Sequence, residues 1–235
     1  MPAAGRAFIP VEFQIVFRFG HSMVRPSYRA NFTGNDGDPF FAMVFDTAKG
    51  GDPDDLRGGV RSPRRFVGWH TFFRFPGFDD DVRPNKRIDT LLSTPLFDLP
   101  LGAIPAGTPP TSLAQRNLLR HLTWRIPSGQ SIAAAIGAPI LNDTDFGELR
   151  TIHPHFVTST PLWYYVLKEA AVFEDGRHLG PMGGRIVAEV FVGLLTSDPE
   201  GYLARQPDFS PSLGAQPGEF HITDLLTFAG VAGRR

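Results

Sequence analysis

At 235 residues, with 42% hydrophobic and 20% charged side chains, the chain can bury a core and is not a disordered polymer. A net charge of −1 with no basic block gives no electrostatic support for nucleic-acid or anionic-membrane binding. With no cysteine, disulfides, thiolate metal sites and cysteine nucleophiles are excluded.

No apolar run approaches the roughly 18 residues of a membrane span. The opening MPAAGRAFIP has one Arg and no apolar h-region, so it does not read as a signal peptide, and the cytoplasm is the default compartment. The 22 Pro and 25 Gly imply many loops between helices. The 21 Phe, against 4 Tyr and 3 Trp, imply an interior of large apolar rings with few polar tips.

Residues 1–10 lead abruptly into Val11–Tyr28, VEFQIVFRFGHSMVRPSY, which reads as one amphipathic helix. Pro10 is a sound N-terminal signal and Pro26 a stop. At about 100° per residue, Phe13, Phe17, Gly20 and Val24 fall in a sector roughly 60° wide, with His21 at its edge. An imidazole there, beside Gly20 and three residues after Arg18, could bind a large flat cofactor. It could also be an ordinary core histidine, and spacing alone favours that. A core helix so near the first residue suggests a chain that begins inside a larger fold.

Residues 29–68 are broken by Gly, Asn, Asp and Pro. The short run Phe40–Phe45 is a strand or a buried turn, and periodicity does not decide which. Phe66, Trp69 and Phe73 have helical spacing, with Pro76 as the end. They read as a packing helix rather than a cofactor box. Asp79-Asp80-Asp81 lacks the alternating oxygen ligands and closing glutamate of an EF-hand, so calcium is not supported and a solvated acidic turn is expected. Residues 85–110 read as a short helix followed by a long Pro/Gly loop.

Thr111 or Ser112 can cap a helix from Leu113 to about Leu122, which places Asn117 and Arg120 on one face. Ser128 can cap Gln130–Ile136, closed by Gly137. His153-Pro154-His155 has no placed third ligand, so a plain loop is expected there. Leu162–Glu174 is a helix with the stripe Leu162, Val166, Ala170 and Phe173, widened by Trp163, Leu167 and Ala171. Gly180-Pro-Met-Gly-Gly-Arg185 opens a helix to about Leu195. Without a preceding strand or a Walker lysine, its glycines read as an interhelical turn rather than a phosphate cradle. Thr223 or Asp224 opens a last helix through Ala229. The expected architecture is mainly α, with about five or six helices, long loops and little strand.

No nucleophile elbow or Glu-x-x-His di-metal pattern is present. The polar groups that remain are two helical pairs, Arg18 with His21 and Asn117 with Arg120. A haem uses such a set. Its iron takes an imidazole nitrogen, an amide oxygen fixes the imidazole tautomer, and arginines pair with the propionates.

The same residues resemble the animal-type haem peroxidases (the peroxidase–cyclooxygenase superfamily). Phe17-Arg18-Phe19-Gly20-His21-Ser22 is similar to the family's proximal-haem motif. Arg116-Asn117-Leu118-Leu119-Arg120 through Ile126-Pro127 is similar to its Leu-Asn-x-x-Arg…Gly-Leu-Pro segment. Residues 161–170, 179–189 and 224–230 resemble the tail of the bacterial branch. The likeness implies an irregular helical haem-peroxidase-like fold in which residues 1–235 form a single domain, the C-terminal part of a larger one. It implies haem as cofactor, His21 as the proximal iron ligand, Asn117 as its hydrogen-bond acceptor, and Arg18 and Arg120 facing the propionates.

The implied activity is a hydrogen-peroxide-dependent oxidation of an unidentified electron donor. The family's distal His-Asp and its distal Arg followed by Glu lie upstream of the proximal motif, and nothing here matches them, since only 20 residues precede His21. The family's Arg-Asp-His-Gly is here Leu122-Thr-Trp-Arg125. The expectation is therefore a chain that supplies the proximal wall, completed by an N-terminal half, with no catalytic residue of its own assigned. The alternative is a non-catalytic haem-binding or structural fragment of the same fold.

Overall fold

Helices dominate the regular structure, as their spacing predicts. The computed structural model describes residues 15–33, 40–43 (as backbone), 66–78, 81–104 and 106–232. The contacts divide the chain into two compact units. The described part of one comprises residues 15–24, 86–104 and 106–205, and that of the other 25–33, 40–43, 66–78, 81–85 and 206–232.

The first unit is built on Leu162–Glu174. Three further helices follow the expected bounds closely. They are α1 Leu113–Thr123, α2 Gly129–Ala135 and, after α3 (Leu162–Glu174), α4 Pro181–Ser197. Ser112 caps α1 by accepting from the Gln115 N–H, and Ser128 caps α2 by accepting from the Ser131 N–H. Gly137, at φ 69°, closes α2 with the paired bonds Gly137 N to Ala134 O and Ala138 N to Ala133 O. Single helical turns at Gly147–Arg150 and His155–Thr158 bridge α2 to α3. In the second turn's approach, the His155 N–H donates to His153 Nδ1.

α3 packs against α1, α2, α4 and the segment Val16–Met23. Leu162, Val166, Leu167 and Ala170 are fully or almost fully buried, joined by Met182 and Ile186 from α4. Burying each of the larger side chains stabilises the fold by roughly 1.5–3 kcal/mol. Expected core positions on both helices are corrected. Phe173, at the end of the α3 stripe, is 41% exposed, while Tyr165 and Glu169, outside that stripe, are fully buried. On α4 only the first half is buried, while Phe191, Leu194 and Leu195 lie exposed.

Glu169 explains the glycines at the start of α4. Its Oε1 accepts from the Met182 N–H at 2.9 Å and its Oε2 from the Gly183 N–H at 3.0 Å. A carboxylate of the chain itself thus occupies the helix N-terminus. A Cβ on Gly180 would stand 2.4 Å from Glu169 Cγ, so only glycine admits that approach.

In the second unit β1 (Ser27–Asn31) pairs antiparallel with β2 (Phe40–Met43), in the register Ser27 to Met43 and Tyr28 to Ala42. The Phe40–Phe45 run is therefore a strand over its described residues. The expected helix at 66–78 is corrected: only Trp69–Thr71 forms a 3-10 turn. Thr71 Oγ1 donates to Arg29 O at 2.7 Å and Gly68 N to Ala30 O at 2.7 Å, which holds this segment against β1 in place of helical winding. Trp69 packs edge-on to Phe72, and Tyr28 stacks on Phe72. α5, Ile222–Phe228, starts within two residues of the expected position, and Asp224 Oδ2 accepts from the His221 N–H.

The short helix expected near residue 86 is also replaced, by bends followed by 3-10 turns at Thr94–Phe97 and Leu101–Ala103. Asp79 and Asp80 lie outside the described residues. Among the described residues no helix is long and apolar enough to cross a membrane.

Candidate functional site

The His21 segment is wound more tightly than its sequence suggests. The expected helix over Val11–Tyr28 is corrected to a 3-10 helix at Val16–Met23, with Val24 extended and β1 already begun at Ser27. Phe13 lies outside the described residues. Val, Phe, Gly, His and Ser all have modest α-helix propensity, so tertiary contacts decide the winding here. Three residues per turn bring positions i and i+3 over one another.

Three faces result. Val16, Phe19 and Ser22 face the core: Val16 and Ser22 are fully buried and Phe19 packs against the core cluster. Phe17 and Gly20 share the second face, and Phe17, expected to be apolar core, is 52% exposed. Arg18 and His21 share the third.

Asn117 projects from α1 toward His21. It is 1% exposed, and its amide nitrogen lies 2.9 Å from His21 Nδ1 across 96 residues of sequence. In this amide orientation Asn117 donates to an unprotonated Nδ1. A 180° rotation of the amide brings Oδ1 to the same place, where it accepts from a protonated Nδ1 and leaves Nε2 with its lone pair.

The electrostatics favour neutral imidazole. Burial lowers the His21 pKa most, Arg18 lowers it further, the Asn117 hydrogen bond opposes this, and Arg120 adds a smaller lowering. Burial and Arg120 also lower Arg18. Two guanidiniums and an imidazole thus lie within electrostatic reach of one another.

All four residues proposed from sequence, Arg18, His21, Asn117 and Arg120, therefore meet in one place. Haem requires an imidazole nitrogen, an acceptor behind it and cations for two carboxylates, and this donor set fits it. The face beside His21 is open, since a Cβ on Gly20 would meet nothing within 4 Å.

Two further residues tie the elements that carry the site to α3, and no motif marks either of them in the sequence. Trp163 of α3 donates its indole N–H to Arg18 O at 3.1 Å. His121, next to Arg120, accepts from the Leu162 N–H at the start of α3 and is lowered in pKa by burial. Trp163 reads as part of a packing stripe, and no local signal distinguishes its hydrogen-bonded edge.

One departure from the peroxidase pattern has a structural counterpart. Arg125, where that pattern has glycine, lies at φ 49°. The bonds Arg125 N to Leu122 O and Ile126 N to His121 O make it the left-handed position that ends α1, a position that favours glycine. No family model and no curated protein matches this chain.

Proposed function

We propose that this chain binds haem, with His21 as the axial ligand to iron, and forms the proximal side of a peroxidase-like site. The observation that carries this reading is the buried Asn117 amide 2.9 Å from His21 Nδ1. With its amide turned so that Oδ1 accepts from the Nδ1–H, Asn117 would fix the imidazole tautomer and leave Nε2 with its lone pair for iron. Burial and the neighbouring arginines keep His21 neutral, the form that ligates iron. Arg18 and Arg120 supply positive charge for the two propionates.

Bound haem would supply peroxide-driven oxidation of a second substrate. The chain's own share of that work is to bind, orient and donate electron density through His21. A distal acid–base pair would be required for turnover, and no residue of this chain is assigned that task.

Titration of the apoprotein with haemin tests the reading. The expected result is saturable binding with a Soret shift that His21→Ala abolishes. Asn117→Ala should weaken affinity by roughly 10–100-fold, as for other groups that orient a metal-ligating histidine. A Soret band of unchanged position and affinity in His21→Ala would overturn the ligand assignment.

A further inference from the structure

An eight-residue 3-10 helix needs an explanation, because runs beyond three or four residues are uncommon. The winding also has a consequence for the site. At 3.0 residues per turn Arg18 and His21 eclipse, whereas at 3.6 residues per turn they would be splayed by about 60°. Whatever holds the tighter winding therefore sets where the Arg18 guanidinium stands relative to the imidazole.

Two side-chain donors reach the carbonyls of this turn. The indole N–H of Trp163, on α3, donates to Arg18 O at 3.1 Å across 145 residues of sequence. The hydroxyl of Ser22 donates to Phe19 O at 2.8 Å. Trp163 is 3% exposed and Ser22 fully buried, so neither donor exchanges readily with water. Each adds a bond to a carbonyl on the 3-10 turn, and the Trp163 bond ties that turn to the helix at the centre of the core.

We propose that Trp163 is a positioning residue for the Arg18–His21 pair: its bond to the Arg18 carbonyl, seconded by Ser22, keeps Val16–Met23 in the 3-10 winding that stacks the two side chains. The inference rests on the haem reading for its functional meaning but not for its geometry. Trp163 touches neither ligand nor reacting atoms. It acts through the backbone of the segment that carries them.

The test uses the full chain in two states. In the haem-free protein, NOEs between Hα and the amide proton two residues on mark 3-10 winding, and those four residues on mark an α-helix. Wild type should show the first pattern across residues 16–23. Trp163→Phe should lose it and gain the second, while its far-ultraviolet circular dichroism stays close to wild type. Ser22→Ala should shift the pattern partway.

Where Trp163→Phe does not fold, benzothienylalanine at position 163 keeps the ring shape and removes only the N–H. With haemin added, the same variant should bind roughly tenfold more weakly and with a shifted iron–histidine stretch in the resonance Raman spectrum. A folded variant without the indole N–H that keeps the wild-type NOE pattern overturns the proposal. If the NOE pattern changes as expected but wild type takes up no haem, the positioning role is supported and the haem reading is contradicted.

Discussion

At the scale of single residues, the site depends on side chains that are distant in sequence and close in space. Arg18 and His21 are legible from the sequence as a pair three apart, and so are Asn117 and Arg120. Their meeting is not, because nothing local states that α1 faces the Val16–Met23 turn. The 3-10 winding is equally hidden: hydrophobic spacing read at 3.6 residues per turn assigns Phe17 to the core, where Val16, Phe19 and Ser22 point instead. Gly20 offers a direct probe. A Cβ there meets nothing in the structure, so Gly20→Val should leave the thermal midpoint within about 2 °C. If the open face seats haem, the same change should weaken haemin binding at least tenfold; equal affinity would show that the ligand lies elsewhere. Arg125 gives a stability prediction. Relief of its left-handed backbone in Arg125→Gly should add about 1 kcal/mol, or roughly 2–4 °C in Tm for a chain of this size. A lower Tm in that variant would contradict the assignment of this position.

At the scale of elements, α1 to α5 are plain from the sequence and their ends nearly so, whereas the helices expected over Val11–Tyr28, over 66–78 and near residue 86 are replaced by 3-10 turns and bends. The caps at Ser112 and Ser128 and the stop at Gly137 carry their own chemistry, so α1 and α2 fall where their residues say. The glycines before α4 read as a turn in the sequence, and the carboxylate they receive is not legible there, since Glu169 lies on another helix, 13 and 14 residues before the Met182 and Gly183 N–H groups it accepts from. Burial holds this carboxyl above its usual pKa range, against the lowering effect of the Gly183 and Met182 N–H groups. Glu169→Ala leaves both donors buried without an acceptor and should destabilise the fold by about 2–4 kcal/mol, with Glu169→Gln losing roughly half as much. Chemical denaturation of both variants checks this, and a loss under about 1 kcal/mol for Glu169→Ala would contradict it. Tyr164, also on α3, donates to Glu148 at 2.7 Å. Burial, then the Glu148 hydrogen bond and charge, push its phenol above the ordinary range. A pKa raised on folding gives stability that is complete below the unfolded value of about 10 and drains as pH rises beyond it. The stability difference between wild type and Tyr164→Phe should therefore stay constant up to about pH 10 and narrow above it; urea denaturation across pH 8 to about 11 would show a flat difference if the pairing were unimportant.

At the scale of the molecule, much apolar surface remains in contact with water. Phe17 and Phe191 pack ring to ring at 5.7 Å yet are 52% and 46% exposed, and Val192, Leu194 and Leu195 beside them in sequence are each more than half exposed. Exposed apolar clusters favour self-association. The apoprotein should therefore associate with rising concentration, and Leu195→Lys should reduce this with little change in Tm. Sedimentation that shows wild-type monomer at all concentrations would contradict that expectation. The central claim, that His21 ligates haem iron, is met most directly by cavity complementation. His21→Gly removes the ring, and free imidazole can return it. If His21 is the ligand, haem-loaded His21→Gly has an altered Soret spectrum that imidazole restores to the wild-type position. A variant whose spectrum and haem affinity match wild type without imidazole contradicts the account.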